Sequence, residues 1–283
     1  MKPSRTWIAI VLAVLVFASS GCGVISRIRA KNQLNEAAIA YRDNHLEEAE
    51  QHARRALELD PTNKTAPLFI ARIVHKQFKH GVNTPENTAK ANEAINLYKG
   101  ILQNDPKNDE AYKAVADLMG QLHQDKAQRD WISQRAEDVN ADQDKRAEAY
   151  IILASKDWSC SNVITEANKT TTVDPATRKA TVSYKKPKDD KEFIQAKKCV
   201  ESGLAEIENA IKQDAHSEPA WSFKTNLLIQ ASALAEMDGK MDQKAELEKQ
   251  RAAADKRTAE LNAENQKKKA EEDAKKAPSP PAG

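Results

Sequence analysis

The chain has 283 residues, of which 30% are charged and 5% aromatic, with 8 glycines and 11 prolines. So few glycines exclude most turn-dense β architectures, and the Ala/Glu/Lys/Leu bias favours helix. The net charge of +2 comes from Lys2 and Arg5; without them 42 basic residues face 42 acidic ones, so a strongly electrostatic partner such as nucleic acid is not implied.

Lys2 and Arg5 precede an apolar run from Trp7 to Ala18, and Ser19, Ser20 and Gly21 then lead to Cys22. A charged start, a short apolar stretch and small residues before a cut describe a secretory signal peptide over residues 1–21. The apolar run is 12 residues long, short of the roughly 20 that span a bilayer. The ending Ser19-Ser20-Gly21-Cys22 resembles the lipobox of bacterial lipoproteins, with Ser19 where that family more often has Leu. The resemblance implies diacylglyceryl transfer to the Cys22 thiol, cleavage after Gly21 and acylation of the new N-terminus. With Gly23 rather than Asp next, it also implies a Gram-negative outer-membrane lipoprotein facing the periplasm, residues 22–29 being a short linker. In that oxidising compartment the remaining Cys160 and Cys199 read as one disulfide, two buried free thiols being the alternative.

Residues 47–63 closely resemble the second helix and exit turn of a tetratricopeptide repeat. Ala49 and Ala56 stand at that family's small positions and Pro61 at its exit. Counted back, the repeat starts at Ala30, with Ala37 as the small residue of its first helix; Ala53 departs, standing where the family prefers an aromatic. Small side chains at a crossing let antiparallel helices approach closely, and Asp60-Pro61 stops the helix because the residue before Pro is pushed out of the α region. The same exit recurs at Asp105-Pro106, with Ala94, Tyr98 and Ile101 upstream and Ile70 and Ala71 in the first helix. The extra residues of this longer unit are assigned to the polar stretch Gly81–Lys90 around Pro85.

A third unit begins with Tyr112, Val115 and Ala116, followed by Ala127 and Trp131. A fourth begins with Tyr150, Leu153 and Ala154 and resumes at Gly203, Ile207 and Ala210; a fifth starts at Ala220-Trp221. The expected fold is all-α, a tetratricopeptide-repeat solenoid of about four to five helix pairs over residues 30–241. An insertion at about 166–189 carries β-branched runs, Lys169–Val173 and Ala180–Tyr184, around Asp174-Pro175. These suit a β-hairpin; a mobile loop is the alternative, because a lone hairpin is marginal. Leu247, Ala254 and Leu261 at seven-residue steps mark a capping helix over residues 242–264, and residues 265–283 read as a disordered Lys/Glu/Pro tail.

Catalytic signatures are missing. No two glycines lie within six residues of each other except Gly21 and Gly23, which excludes a P-loop and a dinucleotide fingerprint. Neither G-x-S-x-G, H-E-x-x-H nor C-x-x-C occurs, and Ser183-Tyr-Lys-Lys186 lacks the partner motifs of penicillin-binding enzymes. No enzyme activity, cofactor, metal or small-molecule substrate is expected.

The family resemblance implies instead a concave groove, lined by first helices, that takes a protein or peptide partner. Carried onto this sequence, the groove positions are Leu34, Ala38 and Tyr41; Leu68, Arg72 and His75; Lys113, Asp117 and Gly120; and Ile151, Ser155 and Trp158. Trp158, beside Cys160, either faces the groove or packs against the insertion. The expected function is a lipid-anchored envelope scaffold, membrane-bound through Cys22, of the kind used in outer-membrane or pilus assembly. The alternative is a structural, cell-wall-associated lipoprotein that acts through its charged tail.

Overall fold

The computed structural model describes the backbone of residues 5–276 and the side chains of residues 23–276. The Cys22 side chain and the last residues of the tail, 277–283, lie outside that range. The chain divides into two compact units, Met1–Gln128 and Arg129–Gly283.

The first unit contains α1 (Arg5–Arg42), α2 (Leu46–Leu59), α3 (Ala66–Gln77), α4 (Pro85–Asn104), α5 (Asp109–Gln121) and the start of α6 (Asp125–Glu137). Each of α1 to α4 packs on the next in sequence, which is how a repeat array builds its core from neighbours. The hairpins are antiparallel: His45 meets Ala40 and His52 meets Gln33, so residue numbers climb on α2 as they fall on α1. Ala37, Ala49, Ala53, Ala56, Ala71 and Ala94 are fully buried at the crossings, where Ile70, Ile73, Val74 and Leu118 fill the grooves between helices. Ala53, the departure from the family pattern, therefore serves as one more close-approach residue.

One construction ends three helices. At Asp60, Asp105 and Asp214 the backbone N–H donates to the carbonyl four residues earlier. The carbonyl of each Asp then accepts from the residue three later, namely Asn63, Asn108 and Ser217. Those side chains start the next helix: Asn63 accepts from the N–H of Ala66, Asn108 from Ala111 and Ser217 from Ala220. The third exit has no proline and was not legible as a repeat of the Asp-Pro turns.

The stretch Gly81–Lys90 is not a polar insertion throughout. Helix α4 starts at Pro85, since Thr84 accepts from the Asn87 N–H at 3.2 Å and proline suits the first helical turn. The extra length of this repeat lies mainly in a 20-residue α4. The loop before it is tied down by buried Asn87, which accepts from the Lys79 N–H and donates to the Lys79 and Val82 carbonyls.

The second unit holds most of α6, then α7 (Gln143–Ala167), strands β1 (Lys169–Val173) and β2 (Ala180–Tyr184), α8 (Asp190–Gln213), α9 (Glu218–Met237) and α10 (Met241–Lys276). The strands pair antiparallel, Lys169 opposite Tyr184 and Thr171 opposite Val182. The insertion is thus a hairpin, and it gains from α9 what a lone ribbon lacks: the Tyr184 N–H donates to Glu236 at 2.9 Å. Helices α7, α8 and α9 all touch one another around Ala154, Ile207, Ala210, Ala220 and Leu227. Gly203 is required at the α7–α8–α9 crossing, where a Cβ would stand 2.7 Å from Leu227 Cδ2 and 3.1 Å from Asp157 Cβ.

Helix α10 runs antiparallel to α9, with Lys244 on Glu236 and His216 near Glu264. Ala254 and Leu261, each 1% exposed, are its buried stripe. It continues to Lys276, so residues 265–276 are helical where composition alone suggested a disordered tail. An Ala/Glu/Lys/Gln run has high helix propensity and needs little packing to extend a helix that is already nucleated.

Candidate functional site

The sequence-derived groove positions converge in the first unit. Tyr41 ends α1, Arg72 and His75 stand on α3, and Lys113 and Asp117 on α5; together with Lys76, Tyr98, Glu110 and Ala114 they line an open depression of 550 Å³. Placing first helices side by side follows from the alternation of hairpins, since α2 and α4 occupy the other layer of each pair.

The floor is aromatic. The Tyr41 and Phe69 rings meet edge-on at 5.6 Å, and Lys76 Nζ sits 4.4 Å from the Tyr41 ring centroid. The His75 and Tyr98 rings meet edge-on at 5.9 Å, with Nδ1 and the hydroxyl 3.4 Å apart. Burial raises the Tyr98 pKa to about 12 and lowers that of His75 against the opposing pull of Asp117. At neutral pH the Tyr98 hydroxyl therefore keeps its proton and His75 is uncharged.

The rim is charged. Arg72 grips Glu110 through two parallel hydrogen bonds, Nε to Oε1 and Nη2 to Oε2, both 2.5 Å. The Arg72 bond holds the Glu110 carboxyl below its usual range and raises the guanidinium in return. Lys113 pairs with Asp109 at 3.0 Å, and Asp117 accepts from Gln121. The result is an amphipathic depression with aromatic faces and a rim of mixed, paired charges. Such a surface offers ring faces for apolar side chains and charged groups for ion pairs.

Sequence reasoning missed Lys76, Glu110 and the rim role of Tyr98, which it placed in the repeat core. Tyr98 serves both, 2% exposed overall yet lining the depression. Glu110 opens α5 as an ordinary first-turn acid, and nothing local signals its pairing with a residue 38 positions away.

Other groove positions lie elsewhere. Leu34 is half-buried on α1, two turns before Tyr41, and is not part of this depression. Trp158 belongs to the second unit, where it packs partly buried against the Ala154–Ile207–Leu227 core. It packs there instead of against the hairpin because α7 turns that face toward α8 and α9. Cys160 on α7 and Cys199 on α8 are joined by a disulfide with Cα atoms 6.1 Å apart. One turn earlier on α7, buried Asp157 takes Arg129 Nη1 at 2.8 Å and Nη2 at 3.0 Å, and accepts from Ser202 at 2.8 Å. Glu206 stands 3.7 Å from the same guanidinium, its pKa raised by burial despite Arg129. Among the described residues no cluster of His, Cys, Asp or Glu is placed to hold a metal ion. None of the helices, among the described residues, is long and apolar enough to cross a membrane.

No protein-family model matches the chain, and no curated protein does. It is loosely similar to several solved helical-repeat structures. A MamA fragment from Desulfovibrio magneticus RS-1 is 13% identical, covering 83% of this chain and 96% of its own, with a TM-score of 0.40. YrrB, described as a TPR protein with an unusual peptide-binding site, is 14% identical over 78% of this chain and 84% of its own, TM-score 0.37. PilF of Pseudomonas aeruginosa is 14% identical over 84% of this chain and 99% of its own, TM-score 0.33.

Proposed function

We propose that this protein is a lipid-anchored, tetratricopeptide-type scaffold of the bacterial cell envelope that captures a peptide segment of another protein in the first-unit depression. The observation that carries the reading is the convergence of Tyr41, Arg72, His75, Lys113 and Asp117, from three non-consecutive helices, on one open amphipathic surface. Their ion pairs and ring contacts hold the side chains in place before a partner arrives, which lowers the ordering cost of binding. The envelope location rests on the leader pattern and on Cys22 as the acylated residue.

Two expected results test it. A photo-crosslinking residue at Lys113 in whole cells should give a discrete adduct that disappears when Tyr41→Ala and Arg72→Ala are added, with the helical circular dichroism unchanged. Two truncated anchors of this kind cost a typical interface about 2–4 kcal/mol, or 30-fold and more in affinity. Adducts that persist in the double variant would move the binding surface off this groove. For the anchor, Cys22→Ser should shift the protein from the detergent phase to the aqueous phase or leave it unprocessed. Continued partitioning as a lipoprotein would show the apolar run to be the anchor.

A further inference from the structure

Helix α1 buries one face and leaves the opposite face of its turns at residues 24–28 strongly apolar. Val24, Ile25 and Ile28 are 59%, 53% and 58% exposed. At about 100° per residue they fall within roughly 100° of arc. Ala30 and Ala37, fully buried against the rest of the unit, lie roughly 180° away on the same wheel. Three large aliphatic side chains, each more than half exposed, form one contiguous patch here.

Charge supplies the second observation. Arg27 and Arg29 flank this stripe on either side, Lys31 follows one turn later, and the first acidic residue of the whole chain is Glu36. Beyond Lys2 and Arg5 the chain has 42 basic and 42 acidic residues, these three among the basic ones. A local cationic collar around an apolar stripe, in a protein with no net positive charge elsewhere, matches the physics of a helix lying in a lipid interface. Aliphatic side chains enter the acyl boundary while arginine and lysine reach the anionic headgroups.

We infer that residues 24–31 of α1 form an interfacial membrane-contact surface specific for anionic phospholipid, with Val24, Ile25 and Ile28 embedded and Arg27, Arg29 and Lys31 at the headgroups. The inference deepens the membrane-anchored reading, but it needs no acyl chain. It makes the helix a second signal beside the lipid, fixing how the first unit is presented to the bilayer instead of leaving it on a free tether. Each basic residue near an anionic surface contributes roughly fivefold in affinity.

The test is a single-cysteine scan of the full-length chain carrying Cys22→Ser, which removes acylation while the Cys160–Cys199 bridge leaves no other free thiol. A polarity-sensitive fluorophore is placed in turn at positions 24, 25, 27, 28 and 29. The probe is vesicles of phosphatidylcholine with 25% phosphatidylglycerol. The expected result is a blue shift at 24, 25 and 28 but not at 27 or 29, and a weaker pattern on pure phosphatidylcholine. Adding Arg27→Gln, Arg29→Gln and Lys31→Gln to the 24, 25 and 28 chains should reduce that pattern on the anionic vesicles to the phosphatidylcholine level. A shift that declines smoothly from 24 to 29 would show that the apolar run before it inserts alone, and no shift at any position would also overturn the inference. Because the chain tested cannot be acylated, either outcome is separate from whether Cys22 carries lipid.

Discussion

Replacing both Cys160 and Cys199 by Ser should be the most damaging conservative change in the second unit. The bridge joins α7 to α8 across 39 positions and closes the base of the β-hairpin insertion. In the chain-entropy account, opening a loop of that size costs about 4 kcal/mol. In urea this should lower the midpoint of the second unit by roughly 1–3 M. The hairpin should loosen first, because Tyr184 and Glu236 would then hold it against α9 without the clamp at its base. Urea titration of the double-Ser protein against the oxidised wild type, with hydrogen exchange read over residues 169–184, makes the comparison. A midpoint shift below about 0.3 M would mean that the bridge only decorates a helix pair already held by packing.

The second large effect is expected at Arg129. Its guanidinium neutralises Asp157, which keeps 9% of its side chain exposed, and faces Glu206 at 3.7 Å. Arg129→Met leaves buried Asp157 and half-buried Glu206 without their cation, a loss of about 3 kcal/mol. That is the lower end for a broken buried pair, since Arg129 itself is 36% exposed and partly screened. The loss has a pH signature. Burial already raises the Glu206 pKa and Arg129 is the cation that opposes it, so without Arg129 the folded state holds a proton at Glu206 more readily than the unfolded chain does. The Glu206 share of the deficit is therefore full above the raised folded-state pKa and shrinks as pH falls through it. Combining Arg129→Met with Asp157→Leu should recover most of the stability, because no unpaired charge then remains at the crossing. Denaturation of the two variants between pH 4 and pH 7.5 checks both points; a pH-independent loss would assign the effect to packing.

These two sites differ in how far the sequence announced them. The cysteines could be read as a pair from an even count, an exported leader and their places on either side of an insertion. Arg129, Asp157 and Ser202 carry no such mark: they are ordinary polar residues of three helices, 28 and 45 positions apart. The groove divides in the same way. Tyr41, Arg72, His75, Lys113 and Asp117 could be placed because repeat register puts equivalent residues on equivalent faces. Glu110, which fixes the Arg72 side chain, could not.

What the sequence determined by itself was local and periodic. Small residues at fixed spacing made the helix crossings, Asp-Pro exits ended hairpins, and β-branched runs made the insertion, because each of these acts over one or two turns of chain. Two local signals were misjudged. Thr84-Pro85 starts a helix within the stretch assigned to extra polar residues, and the Ala/Lys/Glu run after residue 264 extends α10 to Lys276. Only the tertiary structure decided which faces meet. It packed Trp158 against the core of the second unit, paired Arg72 with Glu110 and left the Val24–Ile28 face of α1 bare. The physical reason is that a helix wheel fixes which side chains share a face, while the partner of that face is set by packing between segments far apart in the chain, which no local pattern encodes.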